Sequence, residues 1–330
     1  MRYPIGIALS CVLFFQACET EIDIVSPADP TPVIYCILDQ DSPVQYLRLS
    51  RSYLTDDASI PIAETDSILF ERATKVAVEE IINGQVTNRA FFAPVNVVKD
   101  SGYFPRQEHW VYRADFKVKP ETDYRLILYI DEYDKIIYST CYTVGNFQIS
   151  NPLYPQIRYI HMLPDHNLTF YWTKSRNAAI YQIGFQMHYL EMSEETTLEK
   201  EILIPLKSVF YLRTTDNLFS YPVNSTNFYK YLADTLQADP GVLRKCLSID
   251  AVIISGGEDL GYYMQIQEGG QTFSLVEYSN IKNGIGIFSS KVIRRIDGFE
   301  LTEQSIDTLA YGHITKGLNF LDRTGTRDGR

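Results

Sequence analysis

Residues Ala179–Tyr189 read AIYQIGFQMHY, and they alternate without a break. Tyr181, Ile183, Phe185, Met187 and Tyr189 fall on one side, and Ile180, Gln182, Gly184, Gln186 and His188 on the other. A period of two is that of a half-buried strand. Upstream, Leu168-Thr169-Phe170-Tyr171-Trp172 predicts a second strand whose Trp plugs a core, and downstream Ile202–Leu212 predicts another. The composition agrees: 24 Tyr and 17 Phe stand against 18 Gly in 330 residues, a tilt toward strands. The expected fold class is mainly β, and the length suggests about two domains.

Residues 33–146 read as the first domain. Val33–Leu38 is an apolar strand and Val44–Leu49 alternates. Lys75–Glu79 and Val86–Phe92 flank Asn83-Gly84, a strong hairpin signal because both central residues of a type I′ turn need positive φ. Trp110–Phe116, Tyr124–Leu128 and Ile136–Val144 complete seven strands, enough for one sandwich. The turn at Lys119-Pro120 leading into Tyr124-Arg125-Leu126 resembles the late corner of an immunoglobulin-like sandwich. Thr55–Phe70 reads as a long loop.

Gly145–Pro155 reads as a linker, and residues 155–322 as a second β domain. Its strands at Leu168–Trp172 and Ala179–Tyr189 resemble strands B and C of a fibronectin type III module. One helix is inserted near 227–237, with Phe228, Leu232 and Leu236 on one face, Ser225 or Thr226 as cap, and Asp239-Pro240-Gly241 as stop. Ile249–Ile254 and Tyr262–Ile266 are expected strands, Asn283–Phe288 a tight turn into a strand, and 323–330 a frayed tail.

The first residues carry an address. Ile5–Phe15 is an eleven-residue apolar run, too short to span a bilayer and fit for a signal-peptide core. It ends in Phe15-Gln16-Ala17-Cys18, and Glu19, Glu21 and Asp23 follow at once. A small residue before Cys at the end of such a core resembles a bacterial lipobox. In that case residues 1–17 leave and Cys18 is acylated. Residues 18–32 then form an extended tether containing Pro27, Pro30 and Pro32. Each buried acyl CH₂ contributes about 0.8 kcal/mol, so several chains make a stable anchor. An ordinary secretory leader cut nearby, giving a soluble periplasmic protein, is one alternative, and an uncleaved anchor is the other. Acidic residues at 19, 21 and 23 resemble the surface-export signal of Bacteroidota lipoproteins.

Candidate chemistry is sparse. The net charge of −11 argues against a nucleic-acid partner. His161 and His166 fit no metal motif, and Asp39-Gln40-Asp41 and Asp56-Asp57 lack EF-hand spacing. No metal or other cofactor is expected. Cys36, Cys141 and Cys246 lie in apolar strands, either as small buried hydrophobes or with Cys36 bonded to Cys141. No nucleophile elbow exists, and adjacent carboxylates such as Glu79-Glu80 point to opposite faces of a strand. No catalytic residue is expected. Phe219, Tyr221, Tyr262 and Tyr263 are the aromatics expected on loops, where they would meet a ligand or partner.

Four stretches together resemble one family. They are the leader ending at Cys18, the first strand Val33–Asp39, the block Asn177-Ala178-Ala179-Ile180-Tyr181-Gln182-Ile183, and Ser279-Asn280-Ile281-Lys282-Asn283-Gly284-Ile285-Gly286-Ile287-Phe288. The family is that of uncharacterised Bacteroidota outer-membrane lipoproteins encoded beside TonB-dependent receptors. The resemblance implies a non-catalytic, surface-exposed lipoprotein of the outer membrane that partners such a transporter. A glycan- or protein-binding adhesin module is the alternative from the aromatics. A hydrolase with an unrecognised site is the remaining one.

Overall fold

The structure is a computed structural model. It describes residues 31–51, 75–97, 109–131, 133–153, 155–210, 217–268 and 278–327. The fold is mainly β, with sandwich-like packing in both halves of the chain.

The first half contributes β1 (Pro32–Asp39), β2 (Val44–Arg51), β3 (Lys75–Ile82), β4 (Gln85–Val97), β5 (His109–Asp115), β6 (Asp123–Ile130) and β7 (Tyr133–Tyr142). Strand β4 belongs to two layers. Its first part, through Phe92, pairs with β3, and Ala93–Val97 pairs with β5. One layer is therefore β1-β2-β5 with the end of β4, and the other is the start of β4 with β3-β6-β7. Ile34, Leu38, Leu47 and Leu49 face Val76, Leu126, Leu128 and Ile137 across the core between them. Strong alternation in β1 and β6 follows from this one-sided burial.

Local chemistry fixes the turns. Asn83 and Gly84 have φ of 52° and 75°, as the hairpin reading requires. The Tyr124 hydroxyl accepts a hydrogen bond from the Lys119 N–H (3.0 Å) and donates to Glu80 (3.2 Å). That is the backward bond of a tyrosine corner, and it locks the Pro120 turn onto β6.

The second half contributes β8 (Ile149–Asn151), β9 (Tyr159–Ile160), β10 (Asn167–Thr173), β11 (Ala178–Met192), β12 (Thr197–Phe210), β13 (Leu218–Asn224), α1 (Thr226–Thr235), β14 (Leu243–Gly257), α2 (Glu258–Glu268), β15 (Ile285–Leu301) and α3 (Glu303–Tyr311). The sheet β12-β11-β14-β15 packs its apolar face on the smaller sheet β13-β10-β8. Trp172 is fully buried there, with ring centroids 5.4 Å from Tyr181 and 5.8 Å from Phe219.

Several sequence expectations need correction. Tyr262–Ile266 is not a strand but part of α2. Glu258 and Asp259 place negative charge at its positive end, and Gly261 lets the helix close on Ala179, whose Cβ would lie 2.8 Å from a Cβ at 261. The expected linker Gly145–Pro155 contains β8. Ser225 precedes α1 without capping it through its side chain; the Asn224 carboxamide oxygen accepts the Thr226 N–H instead (2.9 Å). Of the expected frayed tail 323–330, residues 323–327 are described and bonded to the body, and 328–330 lie outside the described residues. The Asp322 carboxylate accepts from Thr324, Thr326 and Tyr311, and Arg323 pairs with Glu303 at 2.7 Å. The expected loop Thr55–Phe70 lies outside the described residues.

One long strand joins the halves. Ile285–Lys291 of β15 runs parallel to Val33–Asp39 of β1, and Lys291–Phe299 runs antiparallel to β14. A parallel pair needs a crossover connection, and here the chain from β2 onward supplies it. Phe288 and Ile281 thereby enter the first core. Gly286 makes the approach feasible: its φ is +115°, and a Cβ there would lie 1.9 Å from the Ile34 carbonyl oxygen. Among the described residues no helix is long and apolar enough to cross a membrane.

Candidate functional site

Cys18, Glu19, Glu21 and Asp23 lie outside the described residues. The four candidate aromatics do not form one surface. Phe219 is not exposed on a loop: it sits on β13, 3% exposed, with its centroid 5.5 Å from Tyr181. Tyr221 shares that side of β13 and packs against the same core. Apolar residues two apart on a strand share its buried side, and that decides both positions. Tyr262 and Tyr263 stand on α2, which packs on the opposite face of β11 through Leu260 and Ile180. Tyr263 meets Tyr35 edge-on (6.1 Å), and Tyr262 tilts over Tyr278 (5.6 Å).

The start of α2 holds an acid–phenol pair. The Tyr278 hydroxyl donates to Asp259 at 2.6 Å. Burial pushes the Asp259 carboxyl above its usual range, partly offset by the hydrogen bond from Tyr278. Burial and the neighbouring Asp259 raise the Tyr278 phenol. The pair anchors Tyr278 to the start of the helix.

His188 forms a second polar cluster. Its Nε2 lies 2.8 Å from Asp250, and Asp250 also accepts the Gly298 N–H at 3.0 Å. Its Nδ1 is 3.8 Å from the exposed Glu201. The ring ties β11 to β14 and β12, and no hydroxyl or thiol is placed on it as a nucleophile among the described residues.

An open cavity of about 660 Å³ is lined by Asn146, Gln148, Thr173, Arg294 and Arg295 among others. Arg294 is already engaged: it donates to Asp41 (3.1 Å), Asn146 (2.5 Å) and the Phe147 carbonyl (3.2 Å). The guanidinium braces the first turn against the segment between the halves.

The three cysteines of the body are free. Burial pushes the Cys36 and Cys246 thiols up to about 12 and raises Cys141 well above its ordinary value. Thiols held protonated in a core are inert nucleophiles.

Exposed apolar residues also gather on the outer face of β4-β3-β6-β7. Phe91, Ala77, Ile127 and Tyr138 lie side by side in one row across four strands. Tyr129 and Ile136 continue the apolar area two residues along β6 and β7. Phe91 is 66% exposed and Ile136 55%. On the other side of the row, Glu79 is bridged by Arg89 Nε and Arg125 Nε, each at 2.8 Å. Both carboxylate oxygens are thus paired with a guanidinium. Burial raises it, but the hydrogen bonds and charges of Arg125 and Arg89 outweigh this, and the group sits below the usual carboxylate range. Sequence reading missed this face because Phe91 and Tyr138 look like any strand aromatic. Only the register shows that they stand together and outward.

No family model and no curated protein matches the chain.

Proposed function

We propose that the chain is a non-catalytic lipoprotein of the outer membrane, held at the cell surface by acyl chains on Cys18, and an accessory partner of a TonB-dependent nutrient transporter. The observation that carries this reading is the apolar core Ile5–Phe15, ended by Ala17-Cys18 and followed by Glu19, Glu21 and Asp23. The first described strand begins at Pro32, and thirteen residues stand between it and Cys18 in the sequence. A tether of that length suits a surface module that works beside a membrane-embedded partner.

The test is mild cross-linking of intact cells, followed by recovery of the full chain from solubilised outer membranes. Recovery of one barrel receptor, lost in the Cys18→Ala variant, supports the proposal. A chain that purifies alone in every such experiment overturns it.

A further inference from the structure

The outer face of β4-β3-β6-β7 is graded along its strands. From the Tyr142 end toward the Ile136 end, rows pass from the ionic Arg89–Glu79–Arg125 to the apolar Phe91–Ala77–Ile127–Tyr138 and on to Tyr129 and Ile136. The apolar end lies where the body begins. Lys282 exchanges backbone hydrogen bonds with Tyr138, and the Asn283 carboxamide donates to the Ile136 carbonyl at 2.8 Å. The next residue, Gly284, packs on Pro32, with the Pro32 carbonyl oxygen 3.0 Å from where a Cβ would be. The exposed apolar end is thus joined through Asn283 and Gly284 to the start of the first described strand. Thirteen residues fully extended span only about 45 Å, so this end cannot stray far from an anchored Cys18.

We propose that this face rests on the lipid surface to which Cys18 holds the chain, an inference that depends on the anchored reading above. Aromatic rings with polar tips suit the boundary between headgroups and acyl chains, as Tyr129 and Tyr138 would there. Phe91 and Ile136 supply the purely apolar contact. Lys75, Arg89 and Arg125 outnumber Glu79 on these rows, which suits lipid phosphates even though the whole chain is acidic. The contact fixes the orientation of the body on the membrane. A single tether leaves that orientation free.

The test uses the full acylated chain on vesicles of phosphatidylethanolamine and phosphatidylglycerol, with and without brominated acyl chains. Phe91→Trp and Tyr138→Trp report the apolar rows, and Val86→Trp reports the far end of β4. The wild-type chain supplies the background from Trp110 and Trp172. The expected result is about twofold or greater quenching by bromine at 91 and 138, and none at 86, as for rings seated at the acyl boundary. Flotation with the vesicles but equal, unquenched emission at all three positions overturns the proposal while leaving the anchor intact. A blue shift at 91 without bromine quenching means that protein, such as a second copy, covers the face, and also overturns it. Failure to float at all removes the anchored reading, and this inference falls with it.

Discussion

Cys36 of β1 lies opposite Phe288 of β15 in a parallel pairing, so the first strand of the body is completed by one of the last. Both side chains are buried in the same core, at 1% and 0% exposure. The consequence is mechanical coupling. The strand that carries Phe288 continues as the end strand of the second sheet, beside β14, through Val292 to Phe299. Damage to the first core at this point is transmitted along one backbone to the second.

Phe288→Ala is therefore expected to cost about 3–5 kcal/mol, the range for truncating a buried Phe. Urea unfolding followed by tryptophan emission and by far-UV circular dichroism is expected to give coincident transitions, both shifted to lower urea. A second transition that keeps the wild-type midpoint would show that the halves unfold independently.

Glu79 gives a prediction in pH. Its folded-state carboxyl is held low by Arg125 and Arg89 against the opposing effect of burial. Its contribution is therefore present above the unfolded value of about 4.3 and is lost as pH falls through the lower folded value. Glu79→Gln is expected to lose about 1 kcal/mol at neutral pH, a modest figure because both arginines are well exposed to screening. The difference between variant and wild type is expected to shrink toward pH 3, by denaturant titration at each pH. Some acid sensitivity persists in the variant, since the Glu80 carboxyl is also lowered, with Lys119 and Thr87 outweighing its burial. A pH-independent difference would mean that the ion triad is not the cause.

Glycine positions separate two kinds of constraint. Gly84 and Gly286 both have positive φ, at +75° and +115°. A Cβ at 84 meets nothing within 4 Å, whereas one at 286 meets the Ile34 carbonyl oxygen. Gly84→Ala is expected to cost about 1–2 kcal/mol from backbone strain alone. Gly286→Ala is expected to cost at least about 4 kcal/mol or to abolish folding, because β1 and β15 must separate. Thermal melts of the two variants check the order, and equal losses would contradict the close approach.

Much of this fold is written in short-range patterns. The Asn83-Gly84 hairpin and the Tyr124 corner each depend on neighbours within a few residues, and each forms as read; Ala179–Tyr189 forms the strand that its alternation predicts, but it is buried on both faces rather than one, because α2 packs beside Ala179 and Ile180. The helix α2 was hidden because Tyr262–Ile266 is too short to distinguish a period of two from 3.6. As a helix it packs through Gly261 on Ala179, a contact about 80 residues apart in sequence that no local pattern signals. The union of β1 with β15 carries no local signal at all. The burial of Phe219 is not legible locally, because aromatic content says nothing of direction, which the pairing of Trp172 with Phe219 on β10 and β13 decides. The outer face of the first half was illegible for the same reason: its row exists only once four strands are in register.

The lipid on Cys18 is the premise of the functional reading, and mass spectrometry of the mature chain purified from membranes tests it most directly. The expected N-terminal peptide begins at Cys18 and carries acyl chains, with residues 1–17 gone. An unmodified peptide, or one that begins at any other residue, would contradict it.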